Sequence, residues 1–274
     1  MTIGSKIKIK AYDVDAFVGR QGVIEGIAPD LGHTLVFKVR VGDMILPGWF
    51  REPDLEELPR PYTTLIFDLD GTLTDSSEGI LRSIQYALSM SGIEELDLQK
   101  LRPFLVAPIE ETFTRLYNLS DEEARTAMAH YQDRYLKKGI FEQSLYPGIP
   151  DLLKQLKSDG YRLAVGTSRS MKHTTTILRF LDIQKFFDAV GAKDEEGCLR
   201  TKADVLNSLL GYMGLSSAKS TCVFIGDSRR DIEEARQAGI PTIAAAWGYG
   251  TKQDLRNAGA THIVDNLQGF KGLL

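Results

Sequence analysis

From the start of the chain to about Leu58, apolar and polar positions alternate with a period of two: "KIKIKA" from Lys6, then "GVIEGI", then "TLVFKVRV". Side chains that alternate in this way face opposite sides of an extended backbone, so the pattern predicts short antiparallel strands. Gly19, Gly22, Gly26, Pro29, Asp30, Gly32, Gly42, Asp43, Pro47 and Gly48 punctuate them at turn positions. Together these predict a small SH3-like β-barrel over residues 1–58. The prolines and charges of "REPDLEELPRP", Arg51 to Pro61, end it and read as a linker.

Beyond Pro61 the alternation gives way to apolar runs, "TTLIF", "RLAVG", "FDAV", "CVFI", "PTIAAA" and "HIV", separated by segments of helical periodicity. This predicts an α/β fold with a parallel sheet. "GIPDLLKQLKSDG" and "RDIEEARQAGI" read as covering helices that stop at Gly160 and Gly239. Between "TTLIF" and "RLAVG" the pattern is helical with no strand. A crossover needs only about a dozen residues, so residues 77–146 are expected to form an inserted helical subdomain. Residues 62–76 and 147–274 are left to build the sheet-bearing core.

Composition narrows the function. Lys and Arg number 33 against 37 Asp and Glu, a net charge of −4, which offers no global attraction for nucleic acid or anionic lipid. Residues 1–58 hold seven basic and nine acidic side chains, so nucleic acid is not expected there either, and the barrel is expected to serve protein contact or self-association. Cys198 and Cys222 have neither metal-ligand nor disulfide-framework spacing. Residues 1–20 lack the continuous apolar stretch of a signal peptide, and no run is long enough to span a bilayer. A cytoplasmic protein acting on a small molecule is expected, with no membrane association.

Ligand sites of open α/β sheets lie outside the carboxyl ends of the strands. After "TTLIF" come Asp68, Asp70, Gly71 and Thr72; after "RLAVG", Thr167 and Ser168; after "CVFI", the run "GDSRRD" with Asp227 and Asp231. Lys202 opens a helical stretch in "LRTKADVLNSLL". Each piece alone also fits a turn residue or a helix cap. In conjunction they supply hard oxygen ligands for a magnesium ion, and an ammonium and a hydroxyl for phosphoryl oxygens.

"DLDGT", the "GTS" closing an apolar strand, the isolated Lys202 and "GDSRRD" occur in the order and approximate spacing of the haloacid dehalogenase superfamily, so residues 62–274 resemble its phosphatases. "DLDGTLTD", "LYPGIPDLLKQLK" and "WGYGTKQDLRNAGA" are similar to the branch of phosphoglycolate phosphatases and 5′-nucleotidase-like enzymes. The resemblance implies a Rossmann-like core with a helical cap, and a magnesium-dependent phosphomonoesterase working through an aspartyl phosphate. In this sequence it makes Asp68 the nucleophile and Asp70 the acid and base. Magnesium would be held by Asp68, the main-chain carbonyl of Asp70 and Asp227. Thr167 and Lys202 would bind the phosphoryl group, and Asp231 would hold metal-bound water or Lys202. Gly71 would allow the tight turn, Thr72 would orient the aspartates, and Ser168 would add a hydroxyl.

Other residues carry weaker expectations. Arg82, Arg102, Glu111, Arg115 and Tyr117 are the cap's candidate substrate contacts, and Trp247 and Tyr249 those of "WGYG". "VAPIEETF" departs from related caps in having Ala107 before Pro108. His33, His130, His173 and His262 show no ligand spacing, and Cys222 reads as a core residue. A nucleoside monophosphate is the expected substrate. Phosphoglycolate, a phosphomutase reaction, or a binding protein with a vestigial hydrolase core are the alternatives.

Overall fold

The computed structural model describes the chain except for Thr2, Gly4, Asp13, residues 31–33, residues 58–59 and Glu195. The expected turn at Gly32, His33 and the boundary at Leu58 therefore lie outside the described residues. The chain divides into two compact units, residues 1–63 with 155–161, and residues 64–154 with 162–274.

In the first unit β1 (Lys6–Ile9), β2 (Gln21–Pro29), β3 (Leu35–Val41), β4 (Met44–Ile45), β5 (Phe50–Arg51) and β6 (Leu55–Glu57) form one antiparallel sheet. The order is β4-β3-β2-β1-β6, with β5 also paired to β3. The alternation sets the faces: Ile7, Ile9, Ile24, Phe37 and Val39 turn inward with Leu46, Phe50 and Leu55, while Lys8 points to solvent. This is the small all-β domain expected from the period-two pattern.

The second unit runs β7 (Thr64–Phe67), β8 (Thr74–Asp75), α1 (Ser77–Met90), α2 (Ile109–Tyr117), α3 (Asp121–Lys137), β9 (Ser144–Leu145), α4 (Ile149–Ser158) and β10 (Arg162–Ser170). It continues with α5 (Met171–Phe180), β11 (Ala189–Lys193), α6 (Lys202–Tyr212), β12 (Cys222–Gly226), α7 (Arg229–Gln237), β13 (Thr242–Ala245), α8 (Lys252–Asn257), β14 (His262–Val264) and α9 (Leu267–Leu273). Helix α4 ends within the residues grouped with the first unit. Six strands make a parallel sheet in the order β11-β10-β7-β12-β13-β14. All four residues of β7 are buried, as a strand covered on both faces requires. From β7 the chain builds outward through β10 and β11, then returns to β7's other edge with β12. The strand order reverses at β7, so the crevice at the carboxyl ends of β7, β10 and β12 is where this topology places a ligand.

The stretch between β7 and β10 is not strand-free as the sequence pattern suggested. β8 and β9 pair antiparallel, Thr74 with Leu145 and Asp75 with Ser144, at the two ends of the helical insertion. Two residues apiece are too few for any period to be legible. Within the insertion α1 packs against α3 and against the 3-10 turns Leu98–Leu105 and Gly139–Phe141. Among the described residues no helix is long and apolar enough to cross a membrane.

Candidate active site

The Asp68 N–H donates to the Ile225 carbonyl at 2.8 Å, so the β7–β12 pairing continues past Phe67 and fixes this residue at the carboxyl end of the sheet. The turn that follows depends on Gly71. Its φ is +74°, and a Cβ there would lie 2.1 Å from an Asp227 carboxylate oxygen. Thr72, fully buried, donates from Oγ1 to Asp227 Oδ1 at 3.1 Å. Asp227 itself follows β12, and its other oxygen accepts the Tyr249 N–H at 2.8 Å.

Helix caps place the remaining groups. Ser228 Oγ accepts the Asp231 N–H at 3.2 Å while Asp231 Oδ2 accepts the N–H groups of Ser228 at 3.0 Å and Asp227 at 3.2 Å, a capping box that starts α7. Thr201 and Asp204 make a second box at the start of α6. Glu234 of α7 accepts the main-chain N–H of Lys202 and, at 3.3 Å, that of Ala203. Both helices thus begin at the same end of the sheet, and Lys202 is carried inward until only 3% of it is exposed.

The Lys202 ammonium meets Asp68 Oδ2 at 2.7 Å and also pairs with Asp231. Burial opposes its charge, but the two carboxylates outweigh that and hold it protonated, above the ordinary lysine range. For Asp68 burial dominates and pushes its carboxyl up to about 7, with Lys202 pulling the other way. Burial, reinforced by Asp231 and Asp68, drives Asp227 well above the usual carboxylate range. Burial would raise Asp231 as well, yet Lys202 brings it below its ordinary value.

Three buried acids therefore face one buried ammonium. One carboxylate oxygen from each of Asp68, Asp227 and Asp231 lies within 4.8 Å of the others, and Asp68 Oδ1 is buried with no hydrogen-bond partner. Excess negative charge, hard oxygen donors and an orphaned carboxylate oxygen fit a divalent cation such as magnesium.

Asp70 has a partner that the sequence reading missed. The Arg169 guanidinium grips it in a two-pronged ion pair, with Nη2 on Oδ1 at 2.7 Å and Nε on Oδ2. Burial would raise the Asp70 carboxyl, but Arg169 overrides it and holds the group below its usual value, in the base form. Arg169 also lies over the Tyr135 ring of α3, 5.0 Å from its centroid, and so joins the core to the helical insertion. It stands directly after Thr167 and Ser168 on β10, where the rule that strand ends carry the chemistry would have found it. Lys193 at the end of β11 is a second such omission.

These groups floor a cavity of about 490 Å³ that also takes in Thr167, Ser168, Lys193, Arg230 and Tyr249. The insertion roofs it with Ile80, Phe104, Val106, Pro108, Ile109 and Met128, together with the Tyr131 ring. None of Arg82, Arg102, Glu111, Arg115 and Tyr117 lines it. Arg82 instead pairs with Glu78 at the surface, at 2.8 Å. Charged positions of an amphipathic cap helix face water, whereas the roof uses its apolar positions and the loop from Val106 to Ile109. Trp247 is likewise outside this cavity, and its Nε1 donates to the Thr72 carbonyl at 3.1 Å.

The profile of the haloacid dehalogenase-like hydrolase family matches residues 65–245. The chain is 34% identical to the 5′-nucleotidase of Pseudomonas aeruginosa over 213 residues, 78% of this chain and 96% of that one. It is 28% identical to the phosphoglycolate phosphatase of Aquifex aeolicus over 185 residues, 68% of this chain and 85% of the relative. The solved structure of the Mycobacterium tuberculosis protein tyrosine kinase A (PtkA) is 30% identical, with a TM-score of 0.67 over 78% of this chain and 98% of that chain.

Proposed function

The chain belongs to the haloacid dehalogenase-like hydrolases, and we propose that within them it is a magnesium-dependent phosphomonoesterase whose preferred substrates are nucleoside monophosphates. The observation that carries the reading is the division of the cavity into an ionic floor and an apolar roof. A phosphoryl group suits the first, and a base or another flat, weakly polar group the second.

In this reading the Asp68 carboxylate attacks phosphorus, and a bond forms to its oxygen as the bond to the leaving oxygen breaks. Lys202 neutralises charge on Asp68 and on the phosphoryl oxygens, and the Thr167 hydroxyl donates to one of them. Asp70 must be protonated for this half, against the pull of Arg169, and its carboxyl gives that proton to the leaving oxygen and becomes the carboxylate. In the second half it removes a proton from water, which releases phosphate and restores Asp68. The Asp70–Arg169 pair holds the base form that this second half requires. Asp68, the Asp70 carbonyl and Asp227 would hold magnesium, which when bound supplies positive charge opposite the phosphoryl oxygens.

The test is phosphate release from nucleoside monophosphates, phosphoglycolate and sugar phosphates, with magnesium and with chelator. Burying one face of a base under this roof contributes about 1.5–3 kcal/mol, so kcat/KM for the best nucleotide should exceed that for phosphoglycolate roughly 10- to 150-fold. A higher value for phosphoglycolate than for every nucleotide would reverse the substrate choice. Conversion of sugar phosphates without release of phosphate would mean a mutase, and no turnover of any ester would leave a binding protein.

A further inference from the structure

The run "WGYG" takes part in none of the steps above, yet it joins two regions that the chain keeps far apart in sequence. Gly248 packs so closely on the site that a Cβ would lie 2.3 Å from both the Asp227 Cβ and the Gly71 carbonyl oxygen. That approach brings the Tyr249 N–H to Asp227 Oδ2 at 2.8 Å. The Tyr249 ring then lines the cavity, and its phenol reaches the residues by which the chain leaves the sheet for the helical insertion. The Ser76 N–H donates to the phenol oxygen at 2.7 Å, Ser76 Oγ lies 3.2 Å from it, and the phenol donates to Asp75 Oδ1 at 3.2 Å. Asp75 Oδ1 also accepts the Ser77 N–H at 3.0 Å, at the first residue of α1. The returning connection is tied to the outgoing one, for the Tyr146 N–H donates to the Leu73 carbonyl at 3.1 Å and Thr74 pairs with Leu145.

We propose that Tyr249 is a positioning residue that seats the helical subdomain over the site, its phenol holding the outgoing connection to that subdomain while its main-chain N–H holds the Asp227 carboxylate. Segments 75–76 and 144–146 are the two covalent links between sheet and insertion, and they are paired to each other through β8 and β9. Opening or closing the roof requires backbone rotation in these links. A phenol fixed to the first link, which is paired to the second, on a loop fixed to Asp227, makes the roof's position depend on the geometry of the ionic floor. Removing the hydroxyl frees the links and leaves the main-chain N–H on Asp227 in place.

Tyr249→Phe in the full-length protein tests this, because the ring and the N–H to Asp227 remain. Without ligand, amides 75–80 should exchange hydrogen about fivefold faster, the size of about one hydrogen bond, with β7 and β12 unchanged. With adenosine monophosphate as substrate KM should rise about fivefold and kcat stay within about twofold, since a less populated closed state lowers apparent affinity in proportion. Unchanged exchange at 75–80, or a fall in kcat at constant KM, overturns the proposal. If exchange rises throughout the sheet, Ser76→Ala, which removes one contact from the other side, decides instead: a rise of about twofold confined to 75–80 supports the post, and no change overturns it. The kinetic arm alone rests on the phosphatase reading. If the wild-type protein turns over no phosphate ester, that reading fails while the exchange arm still decides on Tyr249.

Discussion

Asp68→Asn is expected to lower phosphate release by more than about 10⁴-fold and to leave a folded protein that, with metal removed, is at least as stable as the wild type above neutral pH. The first half follows from chemistry, because a carboxamide has no anionic oxygen to attack phosphorus or to hold a cation. The second half follows from the site's charge. Burial raises the native Asp68 carboxyl to about 7 from 3.8. Between those values the unfolded chain has released a proton that the native protein keeps, so stability contributed at low pH is lost as pH rises through about 7. Asparagine removes that loss, and Lys202 keeps Asp231 as its partner. Melting temperatures of the two proteins in chelator, taken from about pH 5 to about pH 8, should therefore converge at the acid end and separate in the variant's favour at the other. Near-normal activity in Asp68→Asn would sink the aspartyl-phosphate mechanism, while a variant that melts far lower at every pH would mean that Asp68 is a structural ion-pair partner first.

How much of this could be read from the chain depends on the kind of signal each part leaves. Strands of the parallel sheet are buried on both faces and so stand out as unbroken apolar runs, of which Thr64–Phe67 is the plainest. Once the strands are located, their carboxyl ends bring Asp68, Asp70, Thr167, Lys202, Asp227 and Asp231 into one cavity lining. Arg169 escaped because an arginine near the end of a strand looks like a solvated side chain. Only the fold shows that it turns inward onto Asp70 and Tyr135. The roof escaped for the opposite reason. The sequence points to charged residues of the insertion as substrate contacts, but Phe104, Val106, Ile109 and Met128 are among those that line the cavity, and in sequence such residues cannot be told from core positions. The phenol of Tyr249 meets Asp75 and Ser76 across more than 170 positions, and a contact of that range leaves no periodic trace at all.

Lys202→Met should lower activity by about 10²- to 10³-fold or more, the cost of losing one aimed donor at a developing negative charge, and should also destabilise the protein by about 3–5 kcal/mol, as removal of one partner from a buried ion pair does. Methionine keeps an unbranched, flexible stem of similar length, so little of the loss comes from packing. Glu234 holds the main-chain N–H groups of residues 202 and 203, so the start of α6 stays in place. What disappears is the ammonium shared by Asp68 and Asp231. The buried carboxylates are then left facing one another with no positive charge among them. A cation entering that cluster gains more than it does beside Lys202, so magnesium should raise the variant's melting temperature further than the wild type's. At concentrations about 100 times the dissociation constant the gain is ~2.7 kcal/mol. Lowering pH should narrow the stability gap as well, because protonating the carboxylates removes the repulsion that Lys202 normally offsets. Calorimetric melts with chelator, with magnesium and at two pH values separate these effects. If the variant melts with the wild type in chelator, Lys202 does not hold the acids together. If magnesium stabilises both proteins equally, the cation does not enter the cluster that Lys202 shares.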